Sequence, residues 1–527
     1  MSPNLSAPFD SGPYGRHKTA LIWSVLVASC LICLSVDYRL RILAADDSYI
    51  HLRIATHLMT TGHGYFNLGE KVMVTSSPVW TLLLGLSAWL CHGFPAALAL
   101  EAASMGLACT MSFMLISRSL PLDTVRAILL SLIAPAAVFL ILLQSTIQQM
   151  ESTLAVGLVL TSIYLFDIGN IWWLSLLVLA AFTRYEYFAV LVVMSGVALA
   201  ARRLKLTPAV IAALFFSVIA LYLLYQYGTL VPNTLKAKAA VYAGSYARTA
   251  GSLGLGFGKP LAVVRTCLLL TALISLATSK LQRRLIVPGV MVSAGALLEL
   301  CYIWKKTLIF PWYRPLASTL IVLGLILSVP GFEAIGWRRY LAIVALLAFI
   351  NPITSGRELA AYALNNASFD GADKFDIRTI EYLAVGHSIF QECPTARLMS
   401  SEIGGLGEGF EGEILDAVGL ATPAAIKYHP MRVPGERSSG DLGEIPTGFV
   451  SEMHPDVIVS YDVFAESLLK NPDRSIYTEF TYPALPAAEM PRYSDWSKHR
   501  LHILVAKSGL CSSTALDERV RQSLLMH

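Results

Sequence analysis

Charged residues are scarce in this chain. Asp, Glu, Lys and Arg make up 14% of its 527 residues, whereas a soluble domain has about 25%. This scarcity excludes an ordinary soluble protein, and 55% apolar residues with a mean hydropathy of +0.59 indicate many membrane spans. The formal net charge of +4 is small, and the basic residues form short clusters between apolar runs. We therefore expect a polytopic protein of the lipid bilayer, without a nucleic-acid partner.

Metal and redox motifs are also missing. Six of the eight cysteines lie in or beside apolar runs, where cysteine behaves as a small hydrophobe. His51, His57 and His63 are spaced by six residues, which does not place them on one helical face as metal ligands would be, so no metal site is predicted. Cys393 and Cys511 lie in the polar C-terminal part. They could form a disulfide if that part faces an oxidising compartment.

The apolar runs predict the topology. No small-residue cleavage site follows the first run, so it is expected to be an uncleaved anchor that starts in the cytoplasm. Basic clusters at 202–205, 280–284 and 338–339 are cytoplasmic if the C-terminal part is external. The run 171–201 is long for one helix and could be two half-spans. The predicted spans are 19–36, 78–92, 97–117, 125–143, 150–167, 171–201, 208–228, 262–279, 285–303, 309–329 and 338–354.

The composition changes after Asn351, where charged residues, Gly and Pro become more frequent. Apolar runs at 397–403, 413–418, 456–461 and 501–506 have the length of strands, and 376–390 and 463–470 have helix-compatible spacing. The predicted fold class is a membrane all-α bundle of about 11 transmembrane helices followed by an extracytoplasmic α/β domain. The predicted domains are residues 1–354 and 355–527.

Two adjacent acids, Asp46 and Asp47, stand just outside the first apolar run and open an amphipathic stretch in which Ile50, Ile54 and Leu58 recur every fourth residue. An aspartate at the bilayer centre costs roughly 2.5 to 3.5 kcal/mol, so we expect the pair at the watery mouth of the span. The stretch is predicted to be a helix on the membrane surface. The acids could cap this helix, which is worth about 1 kcal/mol. Capping needs only one of them, and two repelling carboxylates suit a general base.

The surroundings of this pair resemble a known family. Residues 46–55 (DDSYIHLRIA), 62–71 (GHGYFNLGEK) and 76–83 (SSPVWTLL) are similar to the first external loop of the polytopic glycosyltransferases of the C superfamily (GT-C). The similarity is to the branch that contains the mycobacterial terminal arabinofuranosyltransferase. Gln149 and Tyr185 depart from the glycine and proline that the family often has. Shorter similarities lie at 149–152 (QMES), 183–186 (TRYE), 231–238 (VPNTLKAK), 416–420 (DAVGL) and 454–459 (HPDVIV).

This resemblance implies an enzyme that takes a sugar from a polyprenyl-phosphate lipid. Such enzymes pass the sugar, usually with inversion, to an envelope glycan or lipid on the external face of the cytoplasmic (inner) membrane. Phosphate leaves readily, so the enzyme needs a base for the acceptor hydroxyl and cations for the departing anion. The family usually gives the base to the first acid, here Asp46, with Asp47 as its helper. No nucleotide is implied, but some relatives use a divalent cation, which Asp46 and Asp47 would hold.

The remaining candidates would bind substrate. Some lie in the motifs that resemble the family, and the basic ones are chosen because Arg and Lys bind phosphate. Basic residues near span ends also extend to the interface for structural reasons, and Tyr313 could belong to an aromatic belt instead of stacking on a sugar. Arg184 and Glu186 could equally be a structural ion pair. The candidates are Arg53, Glu151, Arg184, Glu186, Asn233, Lys236, Lys238, Tyr313 and Arg314.

Two other functions fit parts of the same pattern. A transporter or flippase for a lipid-linked sugar would also use external cations and intramembrane charge. The absence of a visible internal repeat and the large external part disfavour it. In a non-enzymatic scaffold for envelope assembly, the Asp46–Asp47 pair would only cap a helix.

Overall fold

The computed structural model describes residues 13–40, 45–90, 94–119, 125–146, 149–242, 246, 249–250, 253, 286–306, 308–333, 372–431, 443–483 and 499–526. Up to residue 333 the regular secondary structure of the described chain is entirely helical. Its helices are α1 (Pro13–Leu40), α2 (Asp46–Thr61), α3 (Pro78–Leu90), α4 (Phe94–Ser119), α5 (Val125–Thr146), α6 (Ser152–Ile168), α7 (Trp173–Thr183), α8 (Phe188–Ala200), α9 (Leu206–Tyr227), α10 (Asn233–Val241), α11 (Ile286–Trp304) and α12 (Arg314–Glu333).

Several of these helices have the dimensions of membrane spans. Four helical stretches in the described part are long and apolar enough to cross a bilayer: Lys18–Val36, Pro95–Arg118, Leu206–Tyr227 and Ile286–Trp304. Along α9 the side chains of Leu214, Val218 and Tyr225 are 61%, 68% and 76% exposed. An apolar face that packs against no part of the protein is typical of a surface that meets lipid.

The long run at 171–201 consists of two helices. α7 ends at Thr183 and α8 begins at Phe188, with the 3-10 turn Tyr185–Tyr187 between them. Arg184 at the junction is extended, with φ −149° and ψ 119°, so the helix is interrupted where the charge lies. The predicted spans at 262–279 and 338–354 lie outside the described residues, and the total of eleven stays a prediction.

The C-terminal part combines helices with one mixed sheet. The four predicted strands are confirmed as β1 (Leu398–Ser400), β2 (Ile414–Asp416), β3 (Val457–Tyr461) and β5 (Arg500–Ala506). The structure adds a fifth, β4 (Tyr477–Pro483), whose side chains alternate between buried and exposed. The sheet order is β2-β1-β3-β5-β4, parallel among β2, β1 and β3 and antiparallel among β3, β5 and β4. The predicted domain boundary at 354/355 lies outside the described residues. The elements are α13 (Ala372–Glu392), β1 (Leu398–Ser400), α14 (Gly404–Gly409), β2 (Ile414–Asp416), α15 (Thr447–Met453), β3 (Val457–Tyr461), α16 (Asp462–Leu469), β4 (Tyr477–Pro483), β5 (Arg500–Ala506) and α17 (Ser513–Met526).

A disulfide closes this part of the chain. Cys393 and Cys511 are bonded, with Cα atoms 5.4 Å apart. The bond joins the end of α13 to the start of α17, across a sequence separation of 118. Disulfides persist in oxidising compartments.

The segment that follows α1 and the C-terminal part share one hydrophobic core. Ile50 and Ile54 of α2 are 5% and 0% exposed and lie in one cluster with Val385, Leu406 and Phe410. The expectation that the apolar face of α2 rests on the membrane surface is therefore wrong. The C-terminal part covers that face, because burial against packed side chains removes the apolar area from water.

Candidate active site

The two acids of α2 point in different directions. Consecutive helical residues are about 100° apart around the axis, and Asp46 and Asp47 have different partners. Oδ1 of Asp46 accepts a hydrogen bond from the backbone N–H of Gly405, at 2.8 Å. Oδ2 of Asp47 lies 3.0 Å from Nζ of Lys238. The residue at the cap position is Ala45, and no side chain caps α2, so the capping interpretation does not account for the pair.

Asp47 lines a small cavity whose walls come from both parts of the chain. The volume of this cavity is about 30 Å³, and a site for one water needs about 10–15 Å³. A sugar ring would therefore enter only if the walls moved apart. The lining residues are Asp47, Ile50, His51, Val74, Ser76, Met150, Glu151, Arg184, Thr234, Lys238, Trp312, Tyr313 and Leu420.

Lys238 reaches the cavity from α10. Its amine pairs with Asp47 and lies 5.4 Å from the centre of the Phe310 ring. Burial lowers the pKa of this amine, but the neighbouring carboxylate of Asp47 raises it, and the net direction is upward. The side chains of Lys238 and Asp47 are 19% and 24% exposed. Lys238 is therefore charged, and both side chains remain partly exposed.

Arg184 organises the opposite wall. Its guanidinium donates to Glu151 at 2.7 Å, to Ser152 Oγ at 2.9 Å and to Glu186 at 2.7 Å. It also lies over the ring of Tyr313, 4.9 Å from the centre. Charges inside an apolar segment are expensive unless they are paired. Glu151 and Glu186 share this one cation, so Arg184 and Glu186 do form the predicted structural ion pair. That interpretation is incomplete, because Arg184 and Glu151 also line the cavity.

His51 adds a polar group that the sequence did not single out for substrate. Its Nδ1 lies 3.1 Å from the hydroxyls of Thr75 and Thr81. Its Nε2 lies 3.8 Å from Oε2 of Glu151. Burial lowers the pKa of His51, so the imidazole is neutral at pH 7. Among the described residues, Oε2 of Glu151 has no hydrogen-bond partner, and this buried acceptor faces the cavity.

Aromatic rings close one side of the cavity. Trp312 is 5% exposed, and its ring stacks on Phe310 with centroids 5.0 Å apart. Tyr313 stacks on Tyr302 at 5.8 Å. Such rings present flat apolar faces beside polar groups, an arrangement suited to a sugar ring. The sequence could not separate this role from an interfacial belt.

The other predicted residues lie elsewhere. Asn233 donates to the carbonyls of Gly419 and Leu420, at 2.7 and 2.9 Å, and so fastens α10 to the C-terminal part. Lys236 and Arg314 are exposed and do not line the cavity. Arg53 is buried and is also outside the lining. Glu186 supports Arg184 from behind the cavity wall.

Leu420 is positioned by a turn built around Asp416. The Asp416 carboxylate accepts the N–H groups of Val418 and Ala421, at 2.9 and 2.8 Å. Burial raises the pKa of this carboxyl to about 6, against the lowering effect of those N–H groups. Burial likewise raises the pKa of Asp46 to about 6, opposed by the amides of Gly405 and Gly404. Asp46 therefore contacts the C-terminal part directly, whereas Asp416 holds the turn that carries Leu420.

The donor set at the cavity does not fit a divalent cation. No cluster of three His, Cys, Asp or Glu side chains within the described ranges is arranged to hold a metal ion. Asp47 already has the ammonium of Lys238 as its cation. The described residues of the cavity therefore do not form a site for the divalent cation that some relatives of the resembled family use.

Comparison with known proteins gives only weak structural similarities. No protein-family profile matches the chain. No curated protein is similar to it in sequence. The crystal structure of ArnT from Cupriavidus metallidurans bound to undecaprenyl phosphate is 15% identical, with a TM-score of 0.47 over 92% of this chain and 98% of that chain. The same protein in the apo state gives 14% identity, a TM-score of 0.47 and the same coverage. A likeness of this size does not assign a family.

Proposed function

We propose that the chain is an integral-membrane glycosyltransferase of the GT-C type. It transfers a sugar from a polyprenyl-phosphate donor to a hydroxyl of an envelope glycan or lipid on the extracytoplasmic face, with inversion. The observation that carries this proposal is the cavity beside α2, where Asp47, paired with Lys238, faces the buried Arg184–Glu151 pair. The cavity is lined by residues of α2, and α2 lies in the segment that resembles the family most closely.

Asp47 is the proposed general base. A base must reach the proton that it removes, and geometry takes precedence over pKa in choosing it. Asp47 lines the cavity, whereas Asp46 is directed to Gly405. The acceptor oxygen attacks the anomeric carbon while its proton passes to Asp47. The bond from that carbon to the phosphate oxygen breaks, and the lipid phosphate leaves with the electron pair.

The cavity is suited to the sugar more than to the phosphate. Both basic side chains in its lining, Lys238 and Arg184, are already paired with carboxylates. A phosphate there would meet Asp47 and Glu151 at close range, which costs free energy. We assign the sugar hydroxyls to Oε2 of Glu151 and to His51, and the sugar face to Trp312. The phosphate is assigned to exposed cations outside the cavity, Lys236 and Arg314.

The orientation rests on the disulfide and the basic clusters. The Cys393–Cys511 bond favours an oxidising compartment for the C-terminal part. The basic clusters near Arg202 and Arg338 are then cytoplasmic. Residues 46–76 and α10 face outward in this arrangement. The protein is thus a multi-pass inner-membrane protein with an extracytoplasmic site.

The direct test is transfer by the full-length protein in lipid nanodiscs. Polyprenyl-phosphate pentoses and hexoses, including the arabinofuranosyl donor that the resemblance nominates, are offered with envelope glycan, and products are identified by mass spectrometry. Asp47→Asn should lose about 10²- to 10⁴-fold in kcat/KM, the usual contribution of a general base. Asp167→Asn, an acid outside the site that pairs with Arg118, is the control. Full activity of Asp47→Asn, or lipid redistribution without product, contradicts the proposal.

A further inference from the structure

Two charged residues of α2 meet the C-terminal part instead of the cavity. Asp46 and Arg53 are seven residues apart, so they lie on the same face of α2. Asp46 accepts the N–H of Gly405 at 2.8 Å. Arg53 donates to the carbonyls of Gly407 and Phe410, and to that of Gly412 at 2.8 Å. The two side chains therefore hold the beginning and the end of the short helix α14.

These hydrogen bonds satisfy backbone groups at the two ends of α14. A helix leaves N–H groups at its start and carbonyls at its end without partners inside the helix, and the glycines of α14 are buried. A buried unsatisfied backbone group costs about 1–3 kcal/mol. Arg53 also donates to the carbonyl of Phe66 at 2.9 Å. All three nitrogens of the Arg53 guanidinium thus donate to backbone carbonyls. The guanidinium therefore has no pair of N–H groups left to bind a phosphate through two parallel hydrogen bonds.

The two helices touch at backbone distance. A Cβ atom on Gly404 would clash with the carbonyl oxygen of Asp46. A Cβ on Gly405 would lie 2.5 Å from the carbonyl oxygen of Thr379. Only glycine permits this approach, because any larger residue would push α14 away from α2 and α13.

The chain that follows α14 leads to the cavity wall. Asn67 exchanges hydrogen bonds with the backbone of Ile414, at 2.9 and 3.1 Å. Asn233 binds the carbonyls of Gly419 and Leu420, and Leu420 lines the cavity. Segment 404–420 is therefore fastened to the outer loops at its start, its middle and its end.

We infer that Asp46 and Arg53 are positioning residues that dock α14 onto α2 and thereby complete the cavity. Asp46 does not exchange a proton with the substrate. Docking of α14 fixes the first turn of α2, which carries Asp47. It also places Leu420 in the cavity wall together with Asp47. This inference rests on the proposed function only where kcat is measured. The docking of α14 onto α2 is measured by hydrogen exchange and does not depend on the activity.

Substitutions at one position can separate positioning from proton transfer. Asp46→Asn keeps a carbonyl oxygen that accepts the Gly405 N–H but cannot act as a base. Asp46→Ala removes the acceptor. Arg53→Lys cannot reach several carbonyls at once, and Gly404→Ala separates the helices without touching either charge. Docking is read from amide hydrogen exchange of peptides within 404–412, and catalysis from kcat and KM, both on the full chain in nanodiscs.

Asp46→Asn should keep the wild-type exchange pattern and kcat within about tenfold, whereas Asp47→Asn loses about 10²- to 10⁴-fold in kcat at normal exchange. Asp46→Ala, Arg53→Lys and Gly404→Ala should each speed exchange in 404–412 at least tenfold and lower kcat about 10²-fold, as a misplaced site does. Asp167→Asn is the unchanged control.

Two results would overturn this inference. The first is a loss in Asp46→Asn as large as in Asp47→Asn with normal exchange, because Asp46 would then react. The second is unchanged exchange in Asp46→Ala and Arg53→Lys. If the wild-type chain transfers no sugar, the proposed function fails, and the exchange measurements alone still decide whether Asp46 and Arg53 dock α14.

Discussion

The amine of Lys238 lies 3.0 Å from Oδ2 of Asp47, although 191 positions separate the two residues in the chain. The fastening of α10 by Asn233 helps to create this proximity. The Asn233 side-chain amide donates to the carbonyls of Gly419 and Leu420, and the Asn233 backbone N–H donates to the carbonyl of Met73. A carboxylate base that is held by a cation of fixed position is oriented before the substrate binds. Such preorganisation of catalytic groups supplies much of the rate enhancement of enzymes.

Lys238→Met should therefore impair transfer without unfolding the protein. The carboxylate of Asp47 would lose the group that orients it, and we expect kcat/KM to fall about 10²-fold, the cost typical of a small misplacement. Lys238→Arg retains the charge and should recover most of the activity. Lys236→Met changes an exposed lysine two positions away and should raise the donor KM more than it lowers kcat. Equal kinetics for Lys238→Met and the wild type would remove this lysine from the site.

Arg184→Met should destabilise the protein strongly. It would leave Glu151 and Glu186 without their shared cation, and breaking a buried ion pair costs about 3–5 kcal/mol. The matched control is Arg118→Met, because Arg118 and its partner Asp167 are 41% and 33% exposed and such pairs contribute about 0–1 kcal/mol. Unfolding in detergent micelles, followed by tryptophan fluorescence, measures both. A loss of the same size at Arg118 and Arg184 would contradict the importance given to the buried pair.

The disulfide should contribute to the stability of the C-terminal part. Replacing both Cys393 and Cys511 by Ser should lower the free energy of unfolding by about 2–5 kcal/mol, as is usual for a native disulfide. Reducing agent should produce a similar loss in the wild type and none in the double variant. A reductant effect on the double variant would show that the loss comes from a disulfide other than Cys393–Cys511.

The buried Asp416 should make stability depend on pH. Its pKa is about 6 in the folded chain against an ordinary value of 3.8, so the folded state binds more protons between these values. The contribution of this group is therefore fully present below pH about 4 and is lost as pH rises through about 6. The difference in unfolding free energy between the wild type and Asp416→Asn, measured from pH 4 to 7, should change in that window. A flat difference would show that burial does not raise this pKa.

The proposed orientation can be checked with two exposed lysines, Lys236 and Lys205. In intact cells a membrane-impermeant maleimide should label Lys236→Cys. It should label Lys205→Cys only after the cells are permeabilised. The wild-type chain reports the background from its own thiols. The reverse pattern would place the Asp47 cavity on the cytoplasmic side and reject an extracytoplasmic enzyme.

Local patterns in the sequence were sufficient for much of the fold. The helical runs are long and apolar, and the strands β1, β2, β3 and β5 are short apolar runs between polar segments. The strand β4 escaped prediction because its exposed positions are polar or charged, as is common at the edge of a sheet. The break at Arg184 was visible as a charge inside an apolar run, since such a charge needs a partner.

The sequence by itself determined only that Asp46, Asp47, Glu151 and Arg184 stand in motifs that resemble those of one family. Only the tertiary structure decided which acid faces the cavity. Adjacent residues of a helix point about 100° apart, and Asp46 is occupied by Gly405, 359 positions away in sequence. The charge of Arg53 predicts a phosphate contact, whereas its partners are backbone carbonyls, three of them more than 350 positions away. Such contacts follow from how the C-terminal part packs on α2, which no local pattern specifies.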